Sequence, residues 1–265
     1  YNTHYLGFNA NMLANEMFLD SASLRSSVVS HAKSLGYEVT SSRAPYATIN
    51  VSLATTANTK TMASGTVFST SVNGSGYQFV TISDITSNST GSSIPFDSVR
   101  IYEGTYVTSS YTVNTSNVDQ RFLLNDARAD TSTLTVKIQT SSSDSTTRTY
   151  TKATDITQLS PSSTVYYLQE TDSGLYEVYF GDGIVSKSLS DGNIVQLQYV
   201  VTNRTLANGA DTFSAPSTID GVLGITITTV ASAIGGANPE TIQSIKLNAP
   251  LDYAAQGRCV TVDDY

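Results

Sequence analysis

From residue 46 onward, apolar side chains recur at every second position. Ala47, Ile49, Val51 and Leu53 alternate with polar residues, a period that fits a strand with one face buried and no helix. The same pattern returns late in the chain. Val195, Leu197, Tyr199 and Val201 share one face, while Gln196 and Gln198 occupy the wetter one. Further strands are predicted at 66–70, 77–82, 98–103, 106–114, 134–140 and 146–153. Turn-rich stretches such as Asn73-Gly74-Ser75-Gly76 and Asn88-Ser89-Thr90-Gly91 separate them. Thr is dense throughout and Tyr outnumbers Phe by 16 to 8, and both Thr and Tyr suit pleated, half-buried surfaces. Short strands at this spacing predict a sandwich or an open barrel.

The clearest β signal lies at 164–202. Strands at 165–170 and 175–180 flank Thr171-Asp172-Ser173-Gly174, a four-residue hairpin connection. Gly181-Asp182-Gly183 and Asp191-Gly192 then mark two more turns, so the spacing predicts a meander that ends in the strand around Val195.

Both ends of the chain read as helical. Leu24, Val28, Ala32 and Leu35 form one stripe within 21–35. Asp20 or Ser21 can cap that helix, and Gly36 follows as a left-handed stop. A shorter helix at 11–18 precedes it, with Leu13 and Met17 four apart. These narrow stripes call for partner helices. Near the other end Asn238 caps, Pro239 takes the first helical position, and Ile242, Ile245 and Leu247 face inward until Asn248-Ala249-Pro250 stops the helix. Thr261, with Asp263 and Asp264 behind it, reads as another helix start, so the chain is expected to be a middle section of a longer polypeptide. The fold class is α+β, mainly β: antiparallel sandwich or meander domains with helices at both ends. The expected division is a helical segment 1–45, a β-rich domain 46–155, a second β domain 156–235 and a helical segment 236–265.

No constellation here carries a reaction. The net charge of −8 disfavours nucleic acid, because phosphate contacts need clustered Lys and Arg. No apolar run reaches the roughly 18 residues of a membrane span. Cys259 is the sole cysteine, which excludes an internal disulfide and a Cys-based zinc site. His4 and His31 are the only imidazoles; His31 reads as a surface or interface residue, and no G-x-S-x-G elbow accompanies either. The pairs Asp126 with Asp130 and Asp182 with Asp191 read as turn carboxylates, since a glycosidase cleft would want aromatic platforms and Trp is absent. In Phe180-Gly181-Asp182-Gly183 the glycines suit a tight turn and the Asp bonds local backbone. The sequon Asn73-Gly74-Ser75 is a chance match in a Ser-rich chain. No catalytic, cofactor-binding or metal-ligating residue is expected, and no enzyme activity.

Three stretches nevertheless form a pattern. Tyr176-Glu177-Val178-Tyr179-Phe180-Gly181-Asp182-Gly183, with Asp191-Gly192-Asn193-Ile194-Val195 after it, resembles the baseplate J-like family of contractile phage tails. So does Gly235-Gly236-Ala237-Asn238-Pro239-Glu240-Thr241-Ile242, followed by Asn248-Ala249-Pro250. Gln256-Gly257-Arg258-Cys259-Val260-Thr261 through Asp264-Tyr265 fits the family's Q-x-R-x-V-T-x-x-D-Y ending. The helix from Leu24 to Tyr37, with Ser42-Arg43-Ala44-Pro45, is similar to the larger wedge proteins of T-even-like myophages. The matches cover about half the chain, and 56–155 carries little of the resemblance.

The resemblance implies a structural scaffold of the baseplate wedge, located in the virion and free of cofactors. It implies that wedges join around the hub and rearrange when the tail contracts. The implied partners are a second copy of the chain, a different wedge protein, neighbouring wedges and hub or sheath-initiating proteins, with no nucleic acid or membrane. A receptor-binding or adhesin module of a tail fibre explains the Ser/Thr-rich β pattern equally well. It does not explain the Gly181 turn followed by the Pro239 helix, and the internal repeats common in fibres are not found.

Overall fold

The computed structural model describes residues 2–154 and 159–255, with side chains from Leu6 onward. The molecule is mainly β, with helices near both ends, as the periodicity predicts.

Two sheets carry the fold. The first is antiparallel and five-stranded. At its centre β1 (Tyr46–Ala54) pairs with β6 (Ser93–Glu103) on one side and with β14 (Ile225–Ile234) on the other. The hairpin of β3 (Val67–Val72) and β4 (Ser75–Val80) extends the sheet beyond β6. Its two-residue turn is Asn73-Gly74, with φ of 51° and 81°, so the apparent sequon is the Asn-Gly pair that a mirror-image hairpin turn demands. A two-stranded ladder, β2 (Thr59–Met62) with β5 (Ile85–Asn88), contributes Met62 and Ile85 to the same core. Residues 207–222 lie over that core, where Phe213 meets Phe79 edge-on at 5.0 Å.

Within β1, Ala47, Ile49, Val51 and Leu53 are all buried, as alternation requires. The partner β6 breaks period. Ile94 and Phe96 are buried, then Val99 and Ile101, because a bulge at Asp97-Ser98 flips the pleat. Ser98 has a φ of 54°, and the Asn50 side chain accepts its N–H at 2.7 Å. Such a bulge inserts one residue and reverses the faces beyond it. This is why alternation revealed only 98–103.

The second sheet has seven strands in the order β7 (Thr105–Thr112), β13 (Ile194–Val201), β9 (Ala129–Gln139), β10 (Thr147–Lys152), β11 (Val165–Glu170), β12 (Tyr176–Tyr179) and β8 (Phe122–Leu124). All neighbours are antiparallel except β10 and β11. Both halves supply one core of Phe122, Val136, Tyr150, Tyr166, Val178, Leu197 and Tyr199. The sheet therefore curls, and its edge strands meet. Tyr111 of β7 donates its hydroxyl to the Leu123 carbonyl of β8 at 2.6 Å. The result is an open barrel closed by a side chain.

The hairpin of β11 and β12 lies where the sequence places it, with Gly174 at a φ of 77°. The meander does not continue. After β12 the chain crosses the barrel, and β13 pairs with β7 and β9 instead of β12. The expected boundary between 155 and 156 is not a sheet boundary either, since strands on both sides of it form the barrel. The chain enters the barrel at Gly104 and leaves at Thr202.

Three helices complete the fold: α1 (Asn2–Glu16), α2 (Arg25–Ser34) and α3 (Ile242–Ala255). Val28, Val29 and Ala32 of α2 pack with Ile245 and Ala249 of α3, so helices near both ends of the described chain meet and the α2 stripe is covered from within except at Leu24, which stays exposed. Gly36 ends α2 at a φ of 83°, as expected. The start of α3 differs from expectation. Thr241 is the cap, its hydroxyl accepting the Ser244 N–H at 3.2 Å, while the Glu240 N–H goes to the Thr40 carbonyl. Nor does Pro250 stop the helix, which runs on to Ala255. Pro removes one backbone bond, yet Ala249 beside it is buried against α2 and holds the turn in place. Leu247 points outward, 65% exposed.

Candidate functional site

Two features set this molecule apart from a self-sufficient β protein: a polar joint that fixes the helices to the barrel, and apolar surface on the helices themselves.

The joint begins with Arg25, the first residue of α2. Its guanidinium grips the Glu170 carboxylate at two points, Nε to Oε1 at 2.7 Å and Nη2 to Oε2 at 2.9 Å. A third donor, Nη1, reaches the Glu240 carbonyl at 2.5 Å. Glu170 ends β11, and its side chain is almost fully buried. The Tyr176 hydroxyl donates to the Val39 carbonyl at 3.1 Å. Burial first, and the Glu170 charge second, push that phenol well above its ordinary range. The planar fork of Arg matches a carboxylate in a way that Lys cannot.

Glu240 forms the second half of the joint. Its carboxylate accepts from the Tyr37 hydroxyl at 2.9 Å, the Thr40 N–H at 3.2 Å, the Ser244 hydroxyl at 2.7 Å and the Asn248 amide at 3.1 Å. Burial alone would raise this carboxyl. The hydrogen bonds together outweigh burial and hold it below the usual carboxylate range. Burial and the Glu240 bond push the Tyr37 phenol up to about 12. The node thus ties α2, its exit loop, the barrel and α3 together.

A second joint links the two sheets. Glu103, fully buried at the end of β6, accepts from the Thr202 hydroxyl at 2.7 Å, the Asn203 N–H at 2.9 Å and the Asn203 amide at 2.7 Å. It clamps the strand entering the barrel to the strand leaving it. Gly104, at a φ of 125°, passes so close to β13 that a Cβ there would lie 2.2 Å from the Val201 carbonyl oxygen.

The second feature is exposure. Leu6, Phe8, Leu13, Met17 and Phe18, in and just after α1, are each between 63% and 70% exposed. Leu6, Leu13 and Met17 share one face at helical spacing, and Phe8 lies on another. Leu251 and Tyr253 near the end of α3 are more than half exposed as well. Isolated exposed apolar residues are ordinary on a surface, whereas a helix coated with them calls for a partner.

The residues singled out in the sequence do not converge. His31 bonds the Glu16 carbonyl through Nε2 at 2.9 Å. It joins α1 to α2, an interface within the chain. Glu16 itself takes the N–H groups of Ser23 and Leu24 and the Ser23 hydroxyl at 2.7 Å. The Ser23 bonds, with help from Ser27 and Leu24, hold its carboxyl down to about 2. This carboxylate satisfies the start of α2 where the residue at the cap position, Leu24, supplies no side-chain bond, so neither Asp20 nor Ser21 is the cap. Asp126 pairs with Arg128 at 3.1 Å. Asp130 is buried and holds the Ala44 N–H at 2.8 Å. Asp182 accepts the Ile184 N–H at 2.9 Å, and Asp191 the Thr115 N–H at 3.0 Å. Cys259 and the 256–265 motif lie outside the described residues, as does the side chain of His4. Among the described residues no cluster of His, Cys, Asp or Glu is arranged to hold a metal ion, and no helix is long and apolar enough to cross a membrane.

Sequence reasoning missed Arg25, Glu170, Glu103 and the capping role of Glu16. Each partner lies far along the chain or across a turn, so no local spacing marks it.

Comparison with known proteins gives a consistent picture. Residues 110–209 match the family model for the third domain of bacteriophage baseplate wedge protein gp6, nearly the same span as the barrel strands β7 to β13. Over its whole length the chain is 28% identical, across 294 aligned residues, to the baseplate wedge protein gp6 of Enterobacteria phage T4. It spans 43% of the length of that relative.

Proposed function

We infer, for a chain related from end to end to a phage baseplate wedge protein, that it is a structural scaffold of a contractile-tail baseplate wedge, located in the virion. The observation that carries this reading is the end-to-end similarity, which includes the apolar helices as well as the barrel. In this reading the barrel is a rigid spacer and α1 is the contact element, because its apolar residues have no cover within the described chain. The partners are a second copy, a different wedge protein, neighbouring wedges and hub or sheath-initiating proteins. The role is non-enzymatic and needs no cofactor. The two joints offer a physical basis for movement on tail contraction. Each is a small set of charged and polar bonds between bodies with separate apolar cores, so the bodies can shift without opening either core.

Tag labelling of intact particles viewed by electron microscopy tests the reading. Label on the distal plate in sixfold arrangement supports it. Label along fibres, the position of a receptor-binding module, or absence from particles overturns it.

A further inference from the structure

We propose that the elbow between α1 and α2 is a preset bracket: Glu16, His31 and Lys246 fix the direction of α1 before any partner arrives, and baseplate assembly depends on that direction. The inference rests on the baseplate reading above and concerns how α1 is presented.

Within the described chain α1 is an arm. None of its side chains from Leu6 to Asn15 is buried or belongs to an apolar core. It has 15 residues, a length at which a helix without packing is marginal in water. Gly7, Asn9, Asn11 and Asn15 lower its intrinsic propensity further. Its aim therefore depends on the end by which it is attached.

That end is gripped from several sides. The last carbonyls of a helix have no partner in its own ladder, and here three of them find donors beyond it. The Met17 N–H bonds the Ala14 carbonyl at 3.3 Å, the Ser21 hydroxyl the Asn15 carbonyl at 2.6 Å, and His31 Nε2 the Glu16 carbonyl at 2.9 Å. The Glu16 carboxylate accepts the Ser23 N–H at 2.9 Å and the Leu24 N–H at 3.3 Å, so one residue ends α1 and satisfies the start of α2. From α3, Lys246 Nζ donates to the Asp20 carbonyl at 2.8 Å. Leu19 and Ala22 pin the elbow into the core that α2 shares with α3.

A loose tether would need none of this. Flexible linkers are rich in Gly and Ser and make few bonds, whereas residues 16–25 contain no glycine and are bonded to both neighbouring helices. Holding a contact helix in its bound direction lowers the ordering cost of association. The exposed face of Leu6, Leu13 and Met17 meets a partner only when the arm points the right way.

Spin-label distances between α1 and α3 test this, with nitroxides on Ala10→Cys and Gln243→Cys, both exposed positions, in a Cys259→Ser background. The isolated chain is expected to show one narrow distance distribution, with the same distance in assembled baseplates. His31→Ala with Lys246→Ala leaves the Glu16 bonds to α2 in place. That pair should widen the distribution about twofold and lower incorporation into baseplates about fivefold, with helical circular dichroism unchanged. Glu16→Ala should act likewise. His31→Gln with Lys246→Arg, which keeps a donor at each place, should restore both readings. A broad distribution in the isolated wild type, or a widened variant that enters baseplates normally, overturns the proposal and leaves the wedge role intact. Poor incorporation without widening overturns it in favour of direct partner contacts at these residues. A chain absent from baseplates overturns the functional reading and the proposal with it.

Discussion

Arg25 and Glu170, 145 positions apart in the chain, form a two-point ion pair that seats the first residue of α2 on the last residue of β11. Glu170 is buried there with Tyr176 beside it. The pair is best understood as a positional lock, since burying Glu170 and most of Arg25 has a desolvation cost that their attraction only offsets.

Replacing Arg25 by Ala leaves that buried carboxylate without its counter-charge. Breaking a buried pair costs about 3–5 kcal/mol, and because Arg25 is about a third exposed the loss expected is nearer 2–3 kcal/mol. Urea unfolding measures it. Arg25→Lys, which keeps the charge and loses the fork, should recover only part of the loss.

In the turn after β12, position 181 admits no side chain. A Cβ on Gly181 would sit 2.0 Å from the Ser186 hydroxyl and 2.8 Å from its carbonyl oxygen, and Ser186 is fully buried. Gly181→Val should therefore cost about 3 kcal/mol or more and impair folding. Gly192 also has positive φ but nothing within 4 Å, so Gly192→Ala should cost only about 1 kcal/mol. Equal melting temperatures for the two variants would contradict this account.

Acid should loosen the start of α2. Glu16 titrates near 2 in the folded chain against an ordinary value of 4.5. A depressed carboxylate contributes stability that is present above its unfolded value and is lost as pH falls toward 2. Stability measured from pH 5 to pH 2 should drop less steeply in Glu16→Gln than in the wild type. His31→Ala removes the neighbouring bond to the Glu16 carbonyl and should lower stability only slightly.

Base should act on the opposite groups. The Tyr37 and Tyr166 phenols are held up to about 12, mainly by burial. A raised phenol contributes stability that is full below about 10 and lost as pH rises through 12. Phenolate absorbance should therefore show a late fraction that ionises together with unfolding. Tyr37→Phe should shrink that fraction.

Exposed apolar residues on α1 should matter to assembly and not to folding. Leu13 is 70% exposed, so Leu13→Asp is expected to leave the melting temperature unchanged and to reduce incorporation into baseplates. A destabilised Leu13→Asp chain would instead place α1 in the chain's own core.

Much of this architecture was legible in the residues. Alternation in β1 and β13, the hairpin glycine at 174 and the stop at Gly36 are local consequences of pleat and backbone dihedrals. The misses have local reasons too. The bulge at Ser98 reverses period within β6, and β8 is three residues long, too short for any pattern. In β14, Ile and Thr alternate in half-buried positions that look like the surrounding Ser/Thr-rich turns. Pro250 reads as a helix stop because the rule counts its missing bond and cannot count Ala249 against α2.

What the sequence determined by itself is most of the element inventory: pleated strands through the middle, helices near the ends, and tight turns where glycine or Asn-Gly permits positive φ. Those depend on steric preferences within a few residues. Tertiary structure alone decided that β13 joins β7 and β9, that α2 packs on α3, and that Arg25 meets Glu170. Each of these is a contact between segments distant in the chain, selected by burial and charge that exist only once the sheets have closed.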